Sequence, residues 1–426
     1  MSRRVIELAE YKTISPKTED VYDEEFEQTE DKNLEELSLT PEDQKLKAYL
    51  KKRGILTIIE LKKGLRITSS SHIGIAQFSE FSVLVLPKIL MNTQSLPKLI
   101  EYAYDLEDII IPESEIKFEP TENLLIEIII SSFAIKCQHI LRQGLIKSYV
   151  THEENIPYLR GKLLLQQQFL NVAYKKMQFA CEYDELEHNN LENQILRFTL
   201  EQCYSLTSND SIKREIRRLI HQFEGFVERV PINLDDFEKI NYTRLNQHYE
   251  GIHKLCKLIL SSIGISDFYK QKISFVNSFF VDMNVIFEAF VAKLFKEYYP
   301  LPSEAQKGRK AWTIDVGGTA GIRTDVLIYD NRGKPKSIID TKYKKKLTES
   351  DRFQIGFYIH EYEKRVGYDI LPKHLESSDH SIISKQQESS IKVKHIDIDR
   401  TINLLYSKTD ESIDDLKQLV EELVPV

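Results

Sequence analysis

The sequence predicts an α+β protein of several domains: a β-rich segment over 1–100, a mainly helical region over 101–275, and a domain of alternating helices and strands over 276–426. Three observations carry this. At 426 residues the chain exceeds what one ordinary core organises. Hydrophobic residues at 41% against 29% charged give the balance of a globular chain. The hydrophobic period also changes along the sequence, from short β-branched runs to a period near 3.6, and then to a mixture of the two.

The opening MSRRVIELAEYKTI reads as a strand and lacks the apolar core of a signal peptide. Residues 19–44 form an acidic insertion, expected to be a loop or a hairpin tip. A helix follows at 45–52. Runs at 55–61, 65–69, 73–78 and 82–86, rich in Ile, Val and Leu and split by Gly and Ser, read as meander strands, the last stopped by Pro87. Helical periodicity then dominates 95–268, with helices expected at 123–142, 191–204, 212–228 and 246–263 and an interruption at 157–168. The most apolar run, 124–134, contains Glu127 and falls well short of a bilayer span, so a buried helix is expected and a membrane is not. In the final third, 278–299 reads as a helix whose stripe is Val285, Phe287, Phe290, Val291 and Leu294. Strands are expected at 311–316, 322–329 and 336–343, a helix at 349–365, and strands at 366–371 and 391–398, with a polar loop over 374–390.

Only four cysteines occur (Cys137, Cys181, Cys203 and Cys256), none in a C-x-x-C pair. This argues against a disulfide framework and a structural zinc site, and fits a reducing cytoplasm. The net charge of −8 runs against binding a polyanion, but it is unevenly spread. Residues 19–43 hold twelve acids and one lysine, which leaves a balance of +3 for the rest of the chain. Between 300 and 346, eleven Lys and Arg face five Asp and Glu. A phosphate backbone would be drawn there; the plainer alternative is a solvated face.

The chemistry concentrates in IRTDVLIYDNRGKPKSIIDTKYKKK, residues 322–346. Asp330 to Pro335 are turn residues between two β-branched runs, so a hairpin is expected. With the turn centred between Arg332 and Gly333, residues whose numbers sum to 665 lie opposite each other, and Asp325 and Asp340 form such a pair. Alternation then places Thr324, Val326, Ile328, Ile339, Thr341 and Tyr343 on one face and Arg323, Asp325, Asp340 and Lys342 on the other. Facing carboxylates repel by roughly 0.2–1 kcal/mol even when exposed, and a covering helix raises that cost. A divalent cation would offset it; oxygen ligands with open positions suit Mg²⁺, which keeps several waters and binds phosphate. Lys342, about 7 Å along the strand from Asp340, could orient or deprotonate an attacking water and screen charge on a phosphate. The alternative is that Lys342 and Arg323 simply form ion pairs with the two aspartates. Glu288 on the preceding helix is a further candidate ligand. Gln354 and Tyr358, four apart on the following helix, share a face and could hold a phosphate or a strand.

The order helix, three strands, helix, strand, with D…D-x-K on the second and third strands, resembles the PD-(D/E)xK nuclease superfamily. Asp325, Asp340 and Lys342 match its core motif, Glu288 its helical acid, and Gln354-x-x-x-Tyr358 its Q-x-x-x-Y element. Thr324 stands where the motif's loosely kept proline, which is not a ligand, would be. More narrowly, HIGIAQFSEFSVLVLPKI (72–89), IPYLRGKLLL (156–165), EHNNLENQILRFTL (187–200), NVIFEAFVAKLF (284–295), IRTDVLIYD (322–330) and IIDTKYK (338–344) resemble, in order, the McrC family. McrC is the nuclease subunit of McrBC-type modification-dependent restriction systems. The acidic insertion has no counterpart in that resemblance.

The resemblance implies a DNA endonuclease with Asp325, Asp340, Lys342, Glu288 and Gln354 as catalytic residues. The metal would lie on Asp325, Asp340 and Glu288, with Mg²⁺ the expected ion and Mn²⁺ a substitute; Arg323, Lys344, Lys345 and Tyr358 would contact modified double-stranded DNA. It also implies a partner, a McrB-like hexameric AAA+ GTPase whose nucleotide hydrolysis the N-terminal part stimulates. The chain has no G-x-x-x-x-G-K-[ST] loop, so the partner would bind the GTP. Two other readings stay open: a motor-activating adaptor whose nuclease fold is vestigial, and a stand-alone repair nuclease of the same superfamily. His248 and His253 lack metal-ligand spacing, Asp184, Glu185 and Glu187 suit a helix N-terminus, and Ser69, Ser70, Ser71 and His72 read as a strand connection rather than a nucleophile elbow.

Overall fold

The opening stretch, expected as one strand, folds into two, β1 (Arg4–Ala9) and β2 (Lys12–Ser15), and β3 (Glu27–Glu30) lies in the stretch expected to be a loop or hairpin tip. The later β-branched runs fold within a residue or two of their expected positions as β4 (Leu56–Leu61), β5 (Gly64–Ser69), β6 (His72–Gln77) and β7 (Phe81–Leu86), with α1 (Pro41–Lys52) between β3 and β4 and α2 (Ser95–Ala103) after β7. The computed structural model describes residues 4–16, 27–30, 34–87, 95–106, 124–207, 209–263, 278–313, 319–374, 377–384 and 389–425. Residues 19–26 and 31–33 of the acidic insertion lie outside them. The described part is not simply loop: β3 pairs in parallel with β2, and Thr40 and Asp43 form a capping box that starts α1 earlier than hydrophobic periodicity alone suggests.

The chain divides into two compact units, one joining Met1–Ile109, Lys117–Leu125 and Asn277–Val426, the other Ile110–Ile116 and Ile126–Val276. The second unit contains α3 (Leu124–Gln143, from Ile126 on), α4 (Leu165–Ala173), α5 (Leu191–Leu206), α6 (Asp210–Phe223) and α7 (Glu250–Ile263). It is less uniformly helical than expected: β8 (Ser148–Ile156), β9 (Lys162–Leu163) and β10 (Phe179–Glu187) form an antiparallel sheet in the order β8-β10-β9. These strands escape a search for hydrophobic alternation because SYVTHEENI and most of FACEYDELE leave no continuous buried face. Among the described residues no helix is long and apolar enough to cross a membrane.

The first unit holds three sheets. The N-terminal strands form β3-β2-β5-β4 and β1-β7-β6-β11, where β11 (Ser278–Asp282) comes from the far side of the second unit in sequence. A helix was expected from 278, but it begins only at Met283 as α8 (Met283–Tyr298), with Asp282 as its N-cap. SFFVDMNVIFEAFV is apolar at both periods, so local pattern cannot separate strand from helix. Gly74 decides the tertiary outcome. It has φ +143, and a Cβ there would lie 2.0 Å from the Phe279 carbonyl oxygen, so only glycine lets β11 approach β6.

The third sheet, β12-β13-β14-β15-β17-β16, is built from β12 (Ser303–Thr313), β13 (Thr319–Tyr329), β14 (Pro335–Thr341), β15 (Val366–Pro372), β16 (His380–Ile383) and β17 (Ser390–Ile396). Its first three strands are antiparallel, β14-β15-β17 run parallel, and β16 is an antiparallel edge within the stretch expected to be loop. β12 begins earlier than expected because SEAQKG is polar and largely exposed along an edge. Helix α9 (Glu349–Glu361) covers one face, with Ile355, Tyr358 and Ile359 packed on Leu327, Ile338 and Ile391. Gly367 of β15 allows this closeness: a Cβ there would meet Ile359 Cγ1 at 2.8 Å. On the other face Phe287 of α8 lies 5.8 Å, ring to ring, from Tyr343. The chain then adds α10 (Ile398–Ser407) and α11 (Asp410–Leu423), which the sequence reading did not anticipate.

Candidate active site

The β13–β14 hairpin takes the expected register. Val326 pairs with Ile339, Leu327 with Ile338 and Ile328 with Ser337, before a bulge shifts Tyr329 to Pro335. One step beyond these pairs stand Asp325 and Asp340. There the backbone ladder gives way to a side chain: Asp325 Oδ2 accepts from the Thr341 amide at 2.7 Å and from its hydroxyl at 2.8 Å. Asp325 is thereby fixed at the end of β14 while still partly open to solvent.

Asp340 is fully buried. Lys342 Nζ lies 2.7 Å from its Oδ2, and apart from that ammonium neither oxygen of Asp340 meets a hydrogen-bond donor. Burial, and next the charge of Asp325, push the Asp340 carboxyl up to about 7. Burial pulls the Lys342 ammonium down, but Asp340 outweighs it and the net shift is upward, so Lys342 is held as a cation.

The Gln354–Tyr358 pair is brought to this spot, as alternation and helical spacing suggest, but it acts on Lys342. Lys342 Nζ donates to Gln354 Oε1 at 3.2 Å, Gln354 Nε2 donates to the Tyr358 hydroxyl at 2.8 Å, and that hydroxyl donates to the Arg323 carbonyl at 2.9 Å. The relay fixes the lysine head and ties α9 to β13.

Glu288 lies at the rim. Its Oε1 accepts from Gln306 Nε2 at 2.8 Å, and the Arg323 guanidinium donates to the same Gln306 side chain. Burial, and next Asp325, raise the Glu288 carboxyl above its ordinary value. Gln306 was not singled out from the sequence; its one structural signal is a left-handed backbone, φ +50, on β12. Of the basic run, Lys344 is held by Asp351 at 2.7 Å, and the Lys345 carbonyl lies 3.3 Å from His374 Nε2.

A second buried carboxylate was also missed. Asp369 on β15 is the Cα partner of Asp340, is fully buried, and has no hydrogen-bond donor on either oxygen. Burial, then Asp340, push it up to about 8. The only sequence signal was an aspartate inside the apolar strand VGYDILP.

The arrangement suits a hard divalent cation in one respect: the available donors are carboxylate oxygens, and those of Asp340 are buried with a lone ammonium beside them. Among the described residues no group of three or more His, Cys, Asp or Glu side chains is gathered so that it could hold a metal ion. Metal binding would draw on these carboxylates together with waters and phosphate.

The residues set aside earlier have structural partners. His253 is buried between the Tyr242 hydroxyl at 2.9 Å and the Glu192 carbonyl at 3.0 Å, and burial pushes it down to about 4. Ser70 donates to the Ile55 carbonyl at 3.0 Å, and its hydroxyl lies 2.9 Å from His72 Nδ1.

A chain of the refined half-complex of the Thermococcus gammatolerans tetradecameric assembly of McrB AAA+ hexamers with bound McrC superposes with a TM-score of 0.58 at 16% identity, covering 99% of this chain and 100% of that one. A chain of the cryo-EM structure of the Thermococcus gammatolerans McrBC complex matches at 21% identity with a TM-score of 0.45, over 69% of this chain and 88% of that one. No curated protein matches. The family described as McrBC 5-methylcytosine restriction system component matches residues 67–372, well over half of the sequence, and the chain belongs to that family.

Proposed function

We propose that this chain is the metal-dependent DNA endonuclease subunit of a McrBC-like restriction system, with a PD-(D/E)xK site at the open end of the β13–β14 hairpin. The observation that carries the reading is the buried Asp340, ion-paired to Lys342 at 2.7 Å, with Asp325 anchored at the neighbouring strand position. Asp325 and Asp340 would hold Mg²⁺, or Mn²⁺ in its place, with Glu288 at the rim. When bound, the cation supplies Lewis-acid polarisation of the phosphate and a lower pKa for an attacking water.

The protein's own residues supply positioning. Asp340 and Gln354 hold the Lys342 ammonium between them, so it orients the water and meets charge developing on the phosphate oxygens without reorganising. As a cation it serves as a donor and screen rather than a general base. Tyr358 locks Gln354 and the β13 backbone in one register. Arg323, held towards Glu288 by Gln306, is placed to take an adjacent backbone phosphate, and the basic surplus over 300–346 favours approach of a polyanion.

The structural neighbour comprises McrB AAA+ hexamers with bound McrC. By family membership and fold we extend that assembly to this chain, with a McrB-like hexameric GTPase as partner, GTP bound by the partner, and modified double-stranded DNA as substrate. Mixing the chain with its motor, GTP, Mg²⁺ and modified plasmid tests the reading. Asp340→Ala is expected to co-purify with the motor and to stimulate its GTP hydrolysis normally, while cleavage falls by about 100-fold or more. Cleavage at the wild-type rate in Asp340→Ala would remove the active-site assignment. Motor stimulation by a wild-type chain that never cuts would favour the adaptor reading, and cutting without any motor the repair-nuclease reading.

A further inference from the structure

Asp369 has no role in the site as drawn so far, yet its placement is costly. It is the in-register neighbour of Asp340 in the parallel β14–β15 pair, so both side chains rise from the same face of the sheet, the face covered by α9. Both are fully buried. Asp351, the other nearby acid, is already matched by Lys344 at 2.7 Å and by the Thr348 amide at 2.8 Å. Asp325 is held by Thr341; among the described residues the ammonium paired with Asp340 is Lys342, and Asp369 itself receives no hydrogen bond. A buried carboxyl without a hydrogen-bond partner is costly in either protonation state. Packing alone would be served better by Asn, Ser or Val at this position.

We propose that Asp369 is an outer carboxylate of the cation site: a positioning residue that accepts hydrogen bonds from waters retained by a divalent ion on Asp325 and Asp340, and so raises affinity for that ion. The inference rests on the metal-site reading above. Hard divalent ions, Mg²⁺ above all, keep several waters, and those waters need acceptors. Partners of this outer kind are worth 10–100-fold in metal affinity.

The test compares the wild-type chain, Asp369→Asn and Asp340→Asn. Mn²⁺ binding is followed by the paramagnetic signal of the free ion, and thermal unfolding is measured in EDTA and in Ca²⁺. Asp369→Asn is expected to bind Mn²⁺ 10–100-fold more weakly, to melt above wild type in EDTA at pH 8.5, where the wild-type carboxyl is charged, and to gain less from Ca²⁺. Unchanged Mn²⁺ affinity in Asp369→Asn overturns the inference whatever its melting temperature. If that variant does not fold, Asp369→Ser carries the same measurement. Failure of the underlying reading looks different: wild type would bind no Mn²⁺, or Asp340→Asn would bind it as tightly as wild type. Binding that needs Asp340 and ignores Asp369 removes this inference alone.

Discussion

Two neighbouring aspartates with raised pKa values make the metal-free protein sensitive to alkali. Asp340 is pushed up to about 7 by burial and by Asp325, and Asp369 up to about 8 by burial and by Asp340. In the unfolded chain both return to the ordinary aspartate value near 4. Between about pH 4 and 8 the folded state therefore holds more protons than the unfolded one, and stability contributed by these groups falls as pH rises through 7–8. Acids lowered by their partners, such as Asp351 and Asp43, give the opposite slope. The informative quantity is thus a difference between proteins. In EDTA, Asp340→Asn is expected to gain in melting temperature over wild type at pH 8.5 and to differ little at pH 4.5; a constant difference across that range would mean that Asp340 does not titrate in this window. Much of this site was legible in the sequence, because turn residues 330–335 set a register that alternation then propagated to Asp325, Asp340 and Lys342. Asp369 and Gln306 were not. A parallel neighbour leaves no trace in local pattern, and a strand buried on both faces loses the alternation that would mark its polar residue as out of place.

At the scale of elements, α9 does two jobs, and one glycine couples them. The Ile355, Tyr358 and Ile359 side of the helix seals the sheet, while Gln354 one turn away grips Lys342. The closeness that permits both depends on Gly367, where an added Cβ would meet Ile359 at 2.8 Å and Ile355 at 3.0 Å. Gly367→Ala should push the helix off by a few tenths of an ångström, cost about 1–3 kcal/mol in urea unfolding as an overpacked core does, and slow cleavage by lengthening the Gln354–Lys342 bond. Tyr358→Phe removes only the hydroxyl of the same relay. Its expected cost is about 0.5–1.5 kcal/mol, with a larger fall in kcat than in substrate affinity. Equal losses in both variants from stability alone, with kcat intact, would show the relay to be a packing device. Elements that sequence reading located well were those whose local chemistry agrees with the fold, such as the Thr348–Asp351 capping box that starts α9. Of those it missed, β8 to β11 form where pairing partners rather than local pattern decide, whereas α10 and α11 were missed although Asp397 and Thr409 cap them locally.

For the molecule as a whole, the segment carrying the candidate site is bound into the N-terminal sheets. Sequence pattern suggested 276–426 as a domain of its own. The chain instead gathers Met1–Ile109 and Asn277–Val426 into one unit. β11 pairs with β6 through Phe279↔Ile75 and Phe280↔Gly74. Tyr343, the residue after Lys342, donates to the buried Glu10 at 3.0 Å at the end of β1. Ser71 Oγ donates to Asp282 Oδ1 at 3.0 Å, at the cap of α8. Residues 277–426 expressed alone would expose Phe279, Phe280 and Val281, all now buried, along an unpaired strand edge, a ready template for aggregation. They would also leave Tyr343 without its acceptor. That fragment is expected to aggregate or to unfold without a cooperative transition, and adding residues 1–109 in trans should restore a cooperative melt and protect the β11 amides from hydrogen exchange. A fragment 277–426 that is monomeric, melts cooperatively and nicks DNA by itself would show that the N-terminal strands only decorate the catalytic segment. The physical case is against that outcome, since the same strand that pairs with β6 runs directly into the helix bearing Glu288.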